Sequence, residues 1–320
     1  MRYISILVAV FLLNFDTVVS AEAPAPNDIP RLAAIKGARF NQKQTIVKSL
    51  AGGPVTIVCE VPIEVSVTVG EEGTVIRWRR GEIKITDVDV PALRNKPEMK
   101  KAMIESALRA QPILSAMDNL TFELGFDKEF AYTGLKNLPE VEADARKSIE
   151  GIDKVRAQQG LGPIEENVKA AIFNRDFIEQ TFPKDVLNYI AWTMIRVQRG
   201  ATTRVKVSMP NPLGGEATPG ILTARLDEKP DDQRRLVLHV DTKMDIEKFA
   251  RTMEQTLART PGAKPLSPED KAAMSKVKVT SLTQYHIDPD TGLASRVVHK
   301  TDVSVADQSK SEEFEWTMIR

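Results

Sequence analysis

Cysteine occurs once in these 320 residues and histidine three times, and positive and negative charges cancel at 44 each. Each scarcity excludes something. One thiol, Cys59, cannot close an internal disulfide, so the core must hold the fold unaided. Cys59 also falls on the apolar parity of a predicted strand, which reads as a buried, inert thiol behaving as a small hydrophobe. His239, His286 and His299 each fall in a predicted strand with no second histidine at ligand spacing beside it. No metal site is expected, because zinc needs three or four convergent ligands. A net charge of zero offers no basic stripe for nucleic acid, and none is expected as a partner.

Several motifs are missing too. The Gly-x-Ser-x-Gly elbow, the His-Glu-x-x-His helix and the phosphate-cradling Gly-x-x-x-x-Gly-Lys loop are absent. Asp288 and Asp290 alternate as in a calcium loop, but the distal Glu is lacking, so the segment reads as a turn. No catalytic residue and no cofactor is expected.

What is present begins with an address. Arg2 precedes an apolar run, Ile4–Leu13, broken only by Ser5 and closed by Asn14 and Asp16. About ten apolar residues are too few to span a bilayer as a helix. Val19-Ser20-Ala21 then follows, the layout of a cleaved secretory signal covering residues 1–21, with Ala23 as the second cleavage candidate. The mature protein is expected in the periplasm or secreted. Residues 22–37, rich in Ala and Pro at their start, read as a disordered N-terminus, and residues 38–320 as one α+β domain.

The strongest period-two signal is Val55, Ile57, Cys59, Val61, Ile63, Val65, Val67 and Val69, one buried face of an antiparallel strand. Pro62 lies on its polar face and requires an edge position or a bend. Gly70-Glu71-Glu72-Gly73 makes a hairpin turn, and Gly81 offers a bulge site in the return strand. Residues 91–200 read as a helical insertion. One helix carries Met99, Met103, Ala107, Leu108 and Leu114, and a second carries Val141, Ala145, Ile149, Ile152 and Val155 before Gly160. A third opens at Pro163, and a fourth runs from Pro183 through Val186, Leu187, Ile190, Met194 and Val197 to Gly200. Leu120–Phe130 is open between strand and irregular structure.

Alternation returns after Ala201 in strands marked by Val205 and Val207, by Leu222, Ala224 and Leu226, and by Leu236, Leu238 and Val240. A helix with Ile246, Phe249, Met253 and Leu257 follows, and Ser267-Pro268 opens another. The chain closes in a three-strand meander, about Lys276–Ile287, Ala294–Val305 and Glu312–Ile319.

Gln284-Tyr285-His286-Ile287-Asp288-Pro289-Asp290-Thr291-Gly292-Leu293 resembles the strand–turn–strand of exported bacterial half-barrel proteins, of which the periplasmic lipoprotein carriers are the best known. The resemblance covers the last 45 residues or so and the order of strands; the helical insertion departs from a simple carrier. It implies a bent, open antiparallel sheet with helices on its concave side and a lipid or other hydrophobic cargo. The aromatics Trp78, Trp192, Phe249, Phe314 and Trp316 lie on apolar faces, either packing the core or lining a cavity for such a ligand. The expected function is a noncatalytic binding or carrier module for a hydrophobic ligand. The alternative is a structural or interaction component with an envelope protein as partner, and an unrecognised hydrolase ranks below both.

Overall fold

The computed structural model describes residues 18–19, 27–30, 32–50, 53–89, 119–158, 184–209, 218–251, 277–305 and 308–319. It also describes positions 98, 160, 162–164, 166, 169, 178–179 and 267–268. Thirteen strands among these form one sheet, and every pairing between strands is antiparallel.

Two meanders make up the sheet. The N-terminal one holds β2 (Ile35–Leu50), β3 (Gly53–Gly70), β4 (Gly73–Arg80), β5 (Lys84–Asp89), β6 (Thr121–Phe126) and β7 (Tyr132–Leu135). The C-terminal one holds β8 (Thr202–Met209), β9 (Thr218–Leu226), β10 (Leu236–Met244), β11 (Lys278–Ile287), β12 (Ala294–Val305) and β13 (Gln308–Ile319). They join where β13 pairs with β2, from Glu312↔Lys48 to Ile319↔Asn41. The two-residue β1 (Val18–Val19) lies beyond β8 at one end, and β7 ends the other, so the sheet is open.

Helix α1 (Leu138–Gln158) and helix α2 (Lys184–Ile190), continued by a 3-10 turn Ala191–Met194, connect the meanders. Leu138, Val141 and Ala145 of α1 and Val186, Tyr189 and Ile190 of α2 share one buried cluster with the strands. Each fully buried aliphatic or aromatic side chain in that cluster adds about 1.5–3 kcal/mol. Tyr189 ties the halves together. Its ring lies 5.1 Å from the Trp78 ring on β4, and its hydroxyl donates to the Ala294 carbonyl on β12.

The turn at Glu71 and Glu72 closes the β3–β4 hairpin with Gly70 opposite Gly73. Pro62 does not divide β3, which runs unbroken; its neighbour divides instead. β4 pairs with residues 63–70 of β3 and β5 with residues 56–60, leaving Pro62 opposite the gap. The Gly81 N–H donates to the Pro62 carbonyl at 2.8 Å, and a Cβ at Gly81 would come within 2.5 Å of the Pro62 ring. Only glycine fits there without displacing the proline.

Three other elements depart from the sequence reading. Residues 27–30 and 32–34 are tied down rather than loose. Ile29 and Leu32 are buried, the Asn27 side chain accepts from Val197 N–H at 3.2 Å, and Ala33 N–H donates to Thr291. The span 91–200 carries a β-hairpin, β6 and β7, besides its helices. The fourth helix stops at Ile190, and Val197 lies in an extended segment before Gly200 turns with φ +71°. The second helix matches its expected span, ending before Gly160 at φ +71°. The helix expected at Met99–Leu114 lies outside the described residues, as do Val168 and Ile172, through which the third helix is expected to run, Met253 and Leu257, and the cleavage positions Ala21 and Ala23.

Candidate functional site on the covered face of the sheet

Because the ladder register is continuous, residues of one parity line up in rows across both meanders. One row runs Leu226, Leu238, Tyr285, Val297, Trp316, and then along β2 and β3 to Cys59 and Ile85. The next runs Thr203, Ala224, Val240, Thr283, His299, Phe314, and on to Ile57 and Val88. A third runs Val205, Leu222, Thr242, Ser281, Thr301. These rows share the face that carries Val61, Val65 and Trp78 and that the helices cover.

The face is not uniformly apolar. On β10, β11 and β12 it carries Thr242, Ser281, Thr283, His299 and Thr301 side by side. Ser281, Thr283 and Thr301 are buried, at 6%, 9% and 4% exposure. Thr283 Oγ1 hydrogen-bonds His299 Nδ1 at 2.8 Å, and Thr301 Oγ1 hydrogen-bonds His299 Nε2 at 3.0 Å. A neutral imidazole donates to one of these hydroxyls and accepts from the other. Phe314 lies beside the ring, at 6.5 Å between centroids. Apolar rows bound the group on both sides: Val279 and Val303 below, and Tyr285, Val297 and Trp316 above. A polar island therefore sits within a covered apolar face. The hydroxyls and the imidazole meet one another's hydrogen bonds, and apolar rows enclose them.

Trp78, Trp192 and Trp316 are buried in one cluster, at 3%, 1% and 6% exposure, and Phe314 packs against it. Phe249 is buried outside that cluster, in a helical turn over residues 246–251 whose start is capped by Asp245. Trp316 and Phe314 stack with centroids 6.1 Å apart beside the island, whereas Trp78 packs on Phe40 and Tyr189. The void beside Trp192 measures about 10 Å3, too small for a ligand.

The opposite face is charged. Arg39, Glu64 and Arg79 stand directly across from one another, two guanidiniums sharing one carboxylate at 3.4 and 4.0 Å. They rim an open cleft of about 500 Å3 with Asn41, Pro62 and Gly81. Near the β11–β12 turn a tighter knot forms. Asp231, in the β9–β10 loop, accepts from Arg235 Nε at 2.8 Å and contacts His286 Nδ1 at 2.9 Å, while Arg235 Nη1 donates to Ser295. Burial works to raise the Asp231 value, but hydrogen bonds from Arg235 and His286 outweigh it and hold the carboxyl well below the carboxylate range. Burial lowers His286, and Arg235 and Arg296 add to the fall against the pull of Asp231. A carboxylate can only accept, so the His286 Nδ1–H donates to Asp231. Its Nε2 is buried with no partner among the described residues.

The three histidines lie apart: His299 faces the covered side, His286 and His239 the charged side, where Asp227 meets His239 Nε2 at 3.1 Å. Among the described residues no group of three or more His, Cys, Asp or Glu side chains is placed to hold a metal ion. The Asp288 Oδ1 accepts from the N–H groups of Asp290 and Thr291, an Asx turn that closes the loop. Cys59 is 4% exposed, and burial pushes its thiol up, with Arg80 opposing. Among the described residues no helix is long and apolar enough to cross a membrane. Neither a protein-family model nor a curated protein matches the chain.

Proposed function

We propose that this protein is an exported, noncatalytic binding or carrier module for a largely hydrophobic ligand with one polar end. The observation that carries the reading is the polar island of Ser281, Thr283, His299 and Thr301 on a face otherwise committed to apolar burial. Apolar groups of the same shape would fill a purely structural core as well as this internally hydrogen-bonded set, so its organised polarity supports a polar contact on that face. Here the ligand's polar end docks on the island while Trp316, Phe314 and Tyr285 contact its apolar body. The open sheet bends into a half-barrel with the island on its concave side, and the signal segment delivers the protein to the periplasm.

Native mass spectrometry of protein purified from its own host tests this. A lipid-like mass travelling with the protein is the expected result; a bare protein under gentle extraction contradicts it.

A second reading, an interaction or structural component of the envelope, draws on a different observation. Trp78, Trp192 and Trp316 are fully packed, and the void beside Trp192 holds only about 10 Å3. A filled core with no travelling ligand would favour it.

A further inference from the structure

The two ends of the sheet are built differently. The end at β7 is four residues long, a short edge of the kind that resists accidental pairing. The end at β8 is eight residues long, and β9 covers only one side of it. On its other side β1 pairs with Val207 and Ser208 alone, antiparallel. From residue 202 to residue 206 the outer edge of β8 has no strand beside it among the described residues. Its outward N–H and C=O groups form a template for one more strand.

We propose that the β8 edge is a docking surface for an extended segment of a partner protein, added antiparallel as the next strand of the sheet. Residues 18–19 already occupy the far end of that edge in this geometry, so it accepts a strand. Cleavage of the signal after Ala21 would free the remainder.

Side chains choose the partner. Arg204 and Lys206 are exposed on the charged face, whereas Thr203, Val205 and Val207 point to the covered face. Two copies of this chain pairing through β8 must keep each face matched. Every register centred between Arg204 and Lys206 then sets Arg204 or Lys206 against a like charge, which is destabilising for directly opposed residues. A second copy is thereby disfavoured in those registers. The fitting partner alternates acidic residues, opposite Arg204 and Lys206, with apolar residues, opposite Val205 and Val207. Backbone hydrogen bonds supply affinity and the alternating side chains supply selectivity, as in other strand-addition complexes.

The test uses two fluorescently labelled nine-residue peptides, one alternating Glu with Val and one alternating Lys with Val, titrated into the exported protein. The Glu/Val peptide should bind at least tenfold tighter, and amide exchange should slow within residues 202–209. The double variant Arg204→Glu, Lys206→Glu should reverse the preference, and a circular dichroism spectrum matching the wild type should show that it folds. Absent binding, binding without charge preference, or protection elsewhere overturns the proposal. Dimerisation through β8, seen as mutual protection at raised protein concentration, would overturn it as well.

Discussion

The two meanders share one sheet and one covered face, yet they fill that face differently. In the N-terminal meander the covered positions are mostly apolar, Val61, Ile63, Val65 and Val67 on β3, Ile76 and Trp78 on β4, and Phe122 and Leu124 on β6, with Thr74 on β4 and Gln42 on β2 as polar exceptions. In the C-terminal meander the equivalent rows include Thr242, Ser281, Thr283, His299 and Thr301. The first is built for stability. The second gives up apolar burial of at least five side chains, and the imidazole clamp held by two hydroxyls shows that the polarity is organised. The difference separates a mostly apolar half of the face from a half that carries an organised polar group.

The largest effect should come from the scaffold. Trp78→Ala should cost about 3–5 kcal/mol, as for other large aromatic truncations in packed cores. Trp316→Ala, at the border of the island, should cost clearly less while releasing bound ligand. Chemical denaturation midpoints compare the two; equal losses would erase the contrast between the meanders.

A smaller effect should follow from Cys59, which sits in the packed half. Cys59→Ser should cost about 1–3 kcal/mol, because it buries a hydroxyl where no apolar neighbour can answer it. Thiol labelling of native protein should be slow and should accelerate in denaturant, and rapid native labelling would contradict the burial.

The pH dependence belongs to the charged face. His286 titrates below its ordinary value when folded, so the unfolded chain takes up the proton first as acidity increases. Its contribution is complete above about pH 6.5 and is lost as pH falls through the lowered folded value. Asp231, held below the carboxylate range, loses its contribution at still lower pH. Melting temperature followed from pH 7.5 to pH 5 should fall in the wild type and less steeply in His286→Asn. Identical slopes would show that the Asp231–Arg235–His286 knot does not couple to folding.

The smallest effect belongs to the exposed ion pairs. Glu315→Gln removes the 2.7 Å contact with Arg296, which holds Glu315 below its usual value. It should cost only about 0.2–1 kcal/mol, as for other solvent-exposed pairs.

How much of this was legible in the sequence differs between the meanders. β10, β11 and β12 and the turn at Asp288 stand out from alternation and turn chemistry alone, and β12 coincides with the span read from the sequence, Ala294–Val305. β2 did not, although it is sixteen residues long and central. Gln42 and Gln44 occupy its covered parity and break the apolar period. The β6 run reads as open between strand and irregular structure because it is short and lies among helical patterns, and the four residues of β7 are too few to show a period. The polar island was invisible for a different reason. Thr283, His299 and Thr301 lie on neighbouring strands, and only the register, Thr283↔His299 with Ser281↔Thr301, brings them together. Read singly, each is an ordinary strand residue.

The island is therefore where the account stands or falls. In the quadruple variant Thr283→Val, Tyr285→Phe, His299→Leu, Thr301→Val, the clamp and the buried Tyr285 hydroxyl that bonds Thr283 become apolar together, and stability should change by less than about 1.5 kcal/mol. Native mass spectrometry of wild type and variant, purified in parallel from the same host, compares the ligand each carries. A ligand on the wild type that is lost from the equally stable variant is the predicted result. Equal retention by both proteins, or no ligand on either, would contradict it.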